Sequence, residues 1–224
     1  MNITITFDSL VVDQNSGKLG GYIMNKFKKL TKAVIAAGVI LSVSAFTFNH
    51  KSEAATYSHV TTKSESYWNI AKGFGVPINR LEAANHWSPL YVGKTVTLPN
   101  SPVSHSDKDL MARLVHAEAS GEPYAGKVAV ASVILNRVTN PNFPDTVPGV
   151  VYQIAYGHYA FTPVPNGQID KLADANSIKA VNEAIALMGK GNGSVYFYNP
   201  ATSTSAYDST RQVTVRIGHH VFAK

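Results

Sequence analysis

The sequence predicts an α+β protein in two parts: a small βααβ module, then a larger, mainly helical domain closed by a small C-terminal β-sheet. Three observations carry this. Residues 57–99 run from an extended start through two short amphipathic stretches to a closing VGKTVTLP. From Asp107 onward, three segments space their apolar residues as helices do. Near the C-terminus, SVYFYNP and QVTVRIGHHVF read as strands.

The elements follow in chain order. From Met24, Lys26, Lys28, Lys29 and Lys32 make a positive n-region, and Ala33 to Phe48 an apolar h-region. Ser52-Glu53-Ala54 then offers small residues at −3 and −1 of a cleavage site. The apolar run is shorter than the roughly 20 residues a spanning helix needs. Residues 24–54 are therefore expected to be a secretory signal peptide, removed near Ala54. A signal peptide belongs at an N-terminus, so residues 1–23 read as a mis-called extension. Gly20-Gly21 is encodable by a ribosome-binding sequence ahead of a start at Met24.

In the module, residues 55–100, Tyr67, Trp68, Ile70, Ala71 and Phe74 lie on one helix face, closed by Gly75. Ile78, Leu81 and Ala84 mark a second helix. The polar stretch 101–107 reads as a linker, with Ser106 placed to cap the next helix and Asp107 and Asp109 in its first turn. The domain of residues 108–224 opens with that helix, which ends at Ala119-Ser120-Gly121. Its successor, YAGKVAVASVILNRV, is small or apolar on nearly every side until Asn136-Arg137 and is expected to be the buried central helix. After a long loop comes an amphipathic helix from Ser177 to Met188, stopped by GKGNG, and then the strands.

One residue breaks the pattern of the first large helix. Leu110, Met111, Leu114 and Val115 form its apolar face, and the next position in that series is Glu118. A carboxyl placed on a core stripe either finds partners or has its pKa raised. Both suit an acid catalyst, although a wet, frayed helix end is the plain alternative.

Composition narrows the field. A hydrophobic fraction of 45% and a charged fraction of 15% are those of a folding chain. The absence of cysteine excludes thiol nucleophiles, zinc–cysteine sites and disulfides. The net charge of +6 suits an anionic partner, but residues 55–224 hold 14 Lys+Arg against 11 Asp+Glu and no basic run, so nucleic acid is not expected as a partner. There is no phosphate loop, no G-x-S-x-G elbow and no H-E-x-x-H. His219-His220, adjacent on a strand, are expected on opposite faces, so neither metal nor cofactor is expected.

Two resemblances sharpen this reading. Ser66-Tyr67-Trp68-Asn69-Ile70-Ala71, Gly75-Val76, Leu81 with Ala84-Asn85, and Gly93-Lys94 with Leu98-Pro99 resemble the LysM domain, which binds N-acetylglucosamine-containing glycans. Ser64-Glu65 stands where that family has Gly-Asp, and the loop His86-Trp87-Ser88-Pro89 is short. The resemblance implies Ser66, Trp68 and Asn85 as glycan-binding residues.

The run from Ala117-Glu118-Ala119-Ser120-Gly121-Glu122-Pro123 through Val138 is similar to the cell wall hydrolase family of spore cortex-lytic enzymes (SleB/CwlJ type). Phe161-Thr162-Pro163-Val164, Asn166-Gly167, Tyr198-Asn199-Pro200 and Ile217 to Phe222 extend the match. It departs at Ala206-Tyr207, where relatives often carry tryptophan, and at YGHYAF before the Phe161 loop. The resemblance implies cleavage of peptidoglycan glycan strands on a lysozyme-like scaffold, with Glu118 as catalytic acid. Tyr124, Phe161, Tyr196, Phe197, Tyr198 and Asn199 are candidates to line the sugar groove, with Tyr196 or Phe197 in the core because they alternate on a strand. Asn136, with Arg137, is a candidate glycan contact or merely a solvated helix end.

Two chemistries stay open. A hydrolase needs a second carboxylate some 5 to 9.5 Å away, for which Glu122, Asp170 and Asp208 are candidates. Glu122, beside Pro123, is better placed to satisfy helix amides. A lytic transglycosylase needs Glu118 alone. The expected whole is a secreted, wall- or cortex-associated monomer, acting on peptidoglycan with a place in germination, with no membrane attachment after signal cleavage. A non-catalytic wall-binding protein is the alternative of another class.

Overall fold

The computed structural model describes residues 57–63, 65–203 and 210–224. The expected extension and signal peptide, Ser64, Ala206-Tyr207 and Asp208 lie outside them. The module opens with β1 (Tyr57–Val60), which pairs antiparallel with β2 (Thr95–Leu98), Tyr57 opposite Leu98. Between them lie α1 (Tyr67–Phe74) and α2 (Ile78–Ala84). Ser66 caps α1 by accepting the Asn69 amide, and Gly75 ends it at φ 59°, a left-handed conformation that glycine adopts without penalty. Ile70, Ala71, Leu81 and Val96 are almost wholly buried and form the module's core.

The larger domain is built on α3 (His105–Ala119) and α4 (Tyr124–Val138). Ser104 caps α3, its Oγ accepting the Asp107 amide, two residues ahead of the expected Ser106. The helix thus starts inside the expected linker. That stretch is packed: Val103 is buried, and Ser101 Oγ donates to the Gly75 carbonyl at 2.7 Å. The helix α4 spans the predicted residues and buries nine of them, including Lys127 and Arg137.

The expected long loop contains short elements that sequence periodicity does not reveal. These are α5 (Val147–Val151), the hairpin β3 (Ile154–Ala155) and β4 (His158–Tyr159), and a 3-10 turn at Gln168–Asp170. The last helix, α6 (Ala175–Ala186), starts two residues earlier than expected because Asp174 caps it, accepting the Ser177 amide at 2.6 Å. Three strands finish the chain: β5 (Tyr196–Tyr198), β6 (Val213–Ile217) and β7 (His220–Ala223). They form an antiparallel sheet in the order β5-β7-β6.

Central β7 is buried throughout and sets Phe222 into a core with Met111, Leu114, Val115, Val133, Ile134 and Ile185. All described residues fall in one compact unit. The two cores meet at α6, whose Ala186 packs into the module's cluster. Among the described residues, no helix is long and apolar enough to cross a membrane.

Candidate active site

Glu118 is placed by the last turn of α3, where Leu114 and Val115 have already carried that face into the core. Its carboxyl makes no hydrogen bond among the described residues and lines a cavity of about 380 Å³. The wall is shared by Arg137 from α4, Phe161 and Thr162 from the central loop, Phe197 and Tyr198 from β5, Asn199 and Thr202 just after it, and His220 from β7. Burial pushes the Glu118 carboxyl up to about 7, against the opposing pull of the Arg137 charge. Near neutral pH the group is therefore divided between acid and carboxylate.

Arg137 enters from the last turn of α4 and is 7% exposed. Its Nε donates to the Val195 carbonyl at 2.7 Å, and the rings of Phe143, Phe161 and Tyr196 lie 5.0, 5.0 and 5.7 Å from its guanidinium carbon. Burial lowers its pKa to about 10, which leaves it a cation at neutral pH. His220 begins β7, its ring 5.2 Å from that of Phe197, and burial lowers its pKa. Its Nδ1 is buried without a partner among the described residues.

Other sequence candidates are distributed differently. Tyr198 and Asn199 line the cavity; Phe161, 2% exposed, also lines it but belongs mostly to the core. Tyr196 and Phe197 alternate as expected. Phe197 packs on the core and the cavity, while Tyr196 stacks under Arg211 at 3.1 Å. Asn136 does not reach this cavity: its Nδ2 donates to the Ser194 carbonyl, tying α4 to the entry of β5. Tyr124 is also elsewhere, donating to Glu183 of α6 at 2.9 Å; burial and that carboxylate push its pKa up to about 12.

The alternative acids are occupied or remote. Glu122 does not serve helix amides. Its Oε2 accepts the His219 amide and its Oε1 pairs with the His219 ring, both at 3.0 Å, because His219 lies in the β6–β7 turn rather than on a strand. Burial raises its pKa, but these bonds outweigh that and hold it below its ordinary value. Asp170 is exposed on the 3-10 turn and does not line the cavity. A second cavity of about 390 Å³, at the seam between module and domain, is mostly apolar; its acid, Asp109, is exposed and paired with Arg113 at 3.0 Å. Among the described residues no cluster suited to a metal occurs.

In the module, two residues expected to bind glycan are structural. Ser66 is the α1 cap. Asn85 is buried and fully engaged, donating to Leu81 and Thr97 carbonyls at 2.8 Å and accepting the Thr97 amide at 2.9 Å. Trp68 is half-buried against the module core. Tyr57, Phe74, Trp87 and Tyr91 are the module's exposed aromatics; Trp87 and Tyr91 share the loop before β2, with Lys94 over the Tyr91 ring at 5.8 Å.

Of the pair Asn136-Arg137 it is Arg137 that reaches the cavity, and Thr162, Thr202 and His220 are the lining residues for which the sequence offered no site role. The signal for Arg137 was the one used for Glu118, a charge on an apolar helix; His220 carried none, since a lone histidine on a strand reads as core.

Comparison with known proteins fits this geometry. Residues 59–99 match the family described as LysM domain, and residues 121–223 the family described as Cell Wall Hydrolase, whose match begins three residues after Glu118. The spore cortex-lytic enzyme of Halalkalibacterium halodurans is 45% identical over 125 residues, which cover 55% of this chain and 37% of that protein. That of Bacillus cereus is 44% identical over 131 residues, 58% of this chain and 49% of that protein. The chain thus spans less than half the length of these curated relatives. The solved catalytic domain of the germination-specific lytic transglycosylase SleB from Bacillus anthracis is 43% identical with a TM-score of 0.51. It is covered over 100% of its length by 57% of this chain. A relative matched from end to end at that identity leaves no doubt about descent: the chain belongs to the cell wall hydrolase family and carries a LysM domain ahead of the family's catalytic domain.

Proposed function

We propose that this protein cleaves the glycan strands of peptidoglycan as a lytic transglycosylase, with Glu118 as its acid and then its base. The observation that carries this reading is the single carboxyl in the cavity. Glu118 is half-buried with its pKa raised to about 7, and no second described carboxyl lines the wall. In its protonated form Glu118 gives its proton to the departing glycosidic oxygen as the C1–O bond breaks. The carboxylate left behind is favoured by the Arg137 charge. It then takes the proton of the muramic acid 6-hydroxyl as O6 bonds to C1, closing a 1,6-anhydro ring. The proton is returned and no water is consumed.

Tyr198, Asn199 and Thr202 offer the polar wall that would orient the sugars. The LysM module, through the exposed Trp87 and Tyr91, would hold the insoluble strand near the catalytic cavity and raise its local concentration. The protein would act as a secreted monomer on wall or cortex, with its signal segment removed. The muramidase alternative differs only in letting water attack, and it calls for a second carboxylate.

Two measurements on purified sacculi test the reading. The wild-type protein is expected to release soluble glycan. Glu118→Gln is expected to sediment with the wall as before but to release nothing. Equal release by both proteins would remove Glu118 from the chemistry, and binding without release by either would leave a wall-binding protein.

A further inference from the structure

The cavity holds a cation whose charge acts on Glu118 but whose terminal nitrogens have no part in the proposed chemistry. Arg137 is more than nine-tenths buried, yet among the described residues it forms no ion pair with an acid, and its one hydrogen bond uses Nε. Its two terminal nitrogens, the prongs that match a carboxylate in a bidentate pair, donate to nothing among the described residues. Neither is fully buried, and Arg137 lines the same cavity as Glu118.

The guanidinium is also pre-oriented. The rings of Phe143, Phe161 and Tyr196 pack within 6 Å of it, and Nε is anchored to the backbone that leads into β5. An arginine fixed in this way loses little freedom when it takes a ligand. Arg211, over the Tyr196 ring at 3.1 Å, is near enough for its charge to lower the pKa of Arg137.

A buried cation calls for a counter-charge. The carboxyl that shares the cavity is Glu118, which must be protonated to act. In the working form of the enzyme the cavity therefore carries a net positive charge and a free donor fork.

We propose that Arg137 is a carboxylate receptor for the substrate, binding an anionic group of the glycan strand seated at the Glu118 cavity. In peptidoglycan the carboxylate comes either from a muramic lactyl group free of peptide or from a stem peptide. The inference rests on the peptidoglycan reading above and adds a specificity to it. Strands that carry the carboxylate bind more tightly, and occupancy of Arg137 by an anion offsets its pull on Glu118, which favours the acid form.

The test uses the full chain and three strand preparations of equal length. One is peptide-free with its lactyl carboxylates intact, one is the same material with those groups converted to amides, and one keeps its stem peptides. KM and kcat are measured separately for wild type, Arg137→Gln and Arg137→Lys. For wild type, KM is expected to be roughly tenfold to a hundredfold lower on the lactyl carboxylate strand than on its amide, the range for a charge-assisted bond in a desolvated site. A low KM on the peptide-bearing strand instead would assign the carboxylate to the peptide.

In Arg137→Gln the ratio between charged and neutral strands is expected to collapse toward one, whatever loss the two substrates share. Arg137→Lys should keep part of it, as a point charge without the fork. Equal KM for wild type on all three strands overturns the proposal without recourse to any variant, as does an unchanged ratio in a folded Arg137→Gln. If wild type cleaves none of the three, the peptidoglycan reading itself fails, and this inference with it.

Discussion

At the scale of single residues, the account turns on one carboxyl held by an apolar helix face. With Glu118 as the proposed acid, kcat/KM should fall as pH rises through about 7, and Glu118→Gln should lose roughly 10²- to 10⁴-fold in rate. The same burial has a cost in stability. The folded carboxyl keeps its proton up to about pH 7, whereas the unfolded chain releases it near 4.5, so the contribution of this group becomes less favourable as pH rises between those values. Glu118→Gln should therefore be more stable than wild type at pH 8, by at most about 3 kcal/mol, and no different at pH 4. Urea melts at the two pH values check this, and equal stability at pH 8 would deny the burial.

Glu118 was legible in the sequence because a charge on an otherwise apolar stripe is a visible conflict. Arg137 shows the same conflict at the end of α4. The structural bonds of Ser66 and Asn85 are not legible in the sequence: a cap hydroxyl or a clamping amide has the same letters as a sugar ligand, and only the Asn69 bond of Ser66 and the Leu81 and Thr97 bonds of Asn85 reveal them.

At the scale of elements, polar side chains fasten the helices to one another and to the sheet. Asp174 caps α6, and Lys127 of α4 and His116 of α3 approach its Oδ2 at 3.6 and 3.4 Å. The Ser177 bonds, aided by Lys127, hold its pKa down to about 2. Its contribution is thus present above about pH 4 and lost as pH falls toward 2. Asp174→Asn, which keeps a capping oxygen, should flatten the acid limb of stability between pH 4 and 2; an unchanged limb would contradict the assignment.

The β6–β7 turn depends on Gly218, at φ 57°. A Cβ there would collide with the Glu122 carboxylate and lie 2.7 Å from Pro123 Cδ. Gly218→Ala is expected to cost roughly 1–3 kcal/mol in chemical denaturation. The run YAGKVAVASVILNRV showed α4 plainly, bounded by Pro123. The helix α5 and the β3–β4 hairpin were invisible, since elements of five and two residues lack the length to display a period.

At the scale of the whole molecule, the module is seated on the domain rather than strung from it. Ser101 and Lys108 both donate to the Gly75 carbonyl, at 2.7 and 3.1 Å, and Ala186 closes the module's core. The composition of residues 101–107 read as a linker because polar residues with a proline look alike whether loose or bonded. A Cβ at Gly75 would strike Asn182 and lie 2.7 Å from Lys108 Nζ, on a backbone at φ 59°. Wild type should therefore melt in one transition, while Gly75→Ala should lose about 1 kcal/mol or more and shift the module's signal, followed through Trp68 fluorescence, to lower temperature than the rest. Coincident curves in the variant would show that the seam is not coupled.

In the proposed mechanism one half-buried carboxyl performs both proton transfers on a glycan strand. Mass spectrometry of the fragments released from purified peptidoglycan tests it most directly. The account predicts 1,6-anhydromuramic ends that vanish in Glu118→Gln; reducing ends in their place would contradict it and require a water-activating second carboxylate.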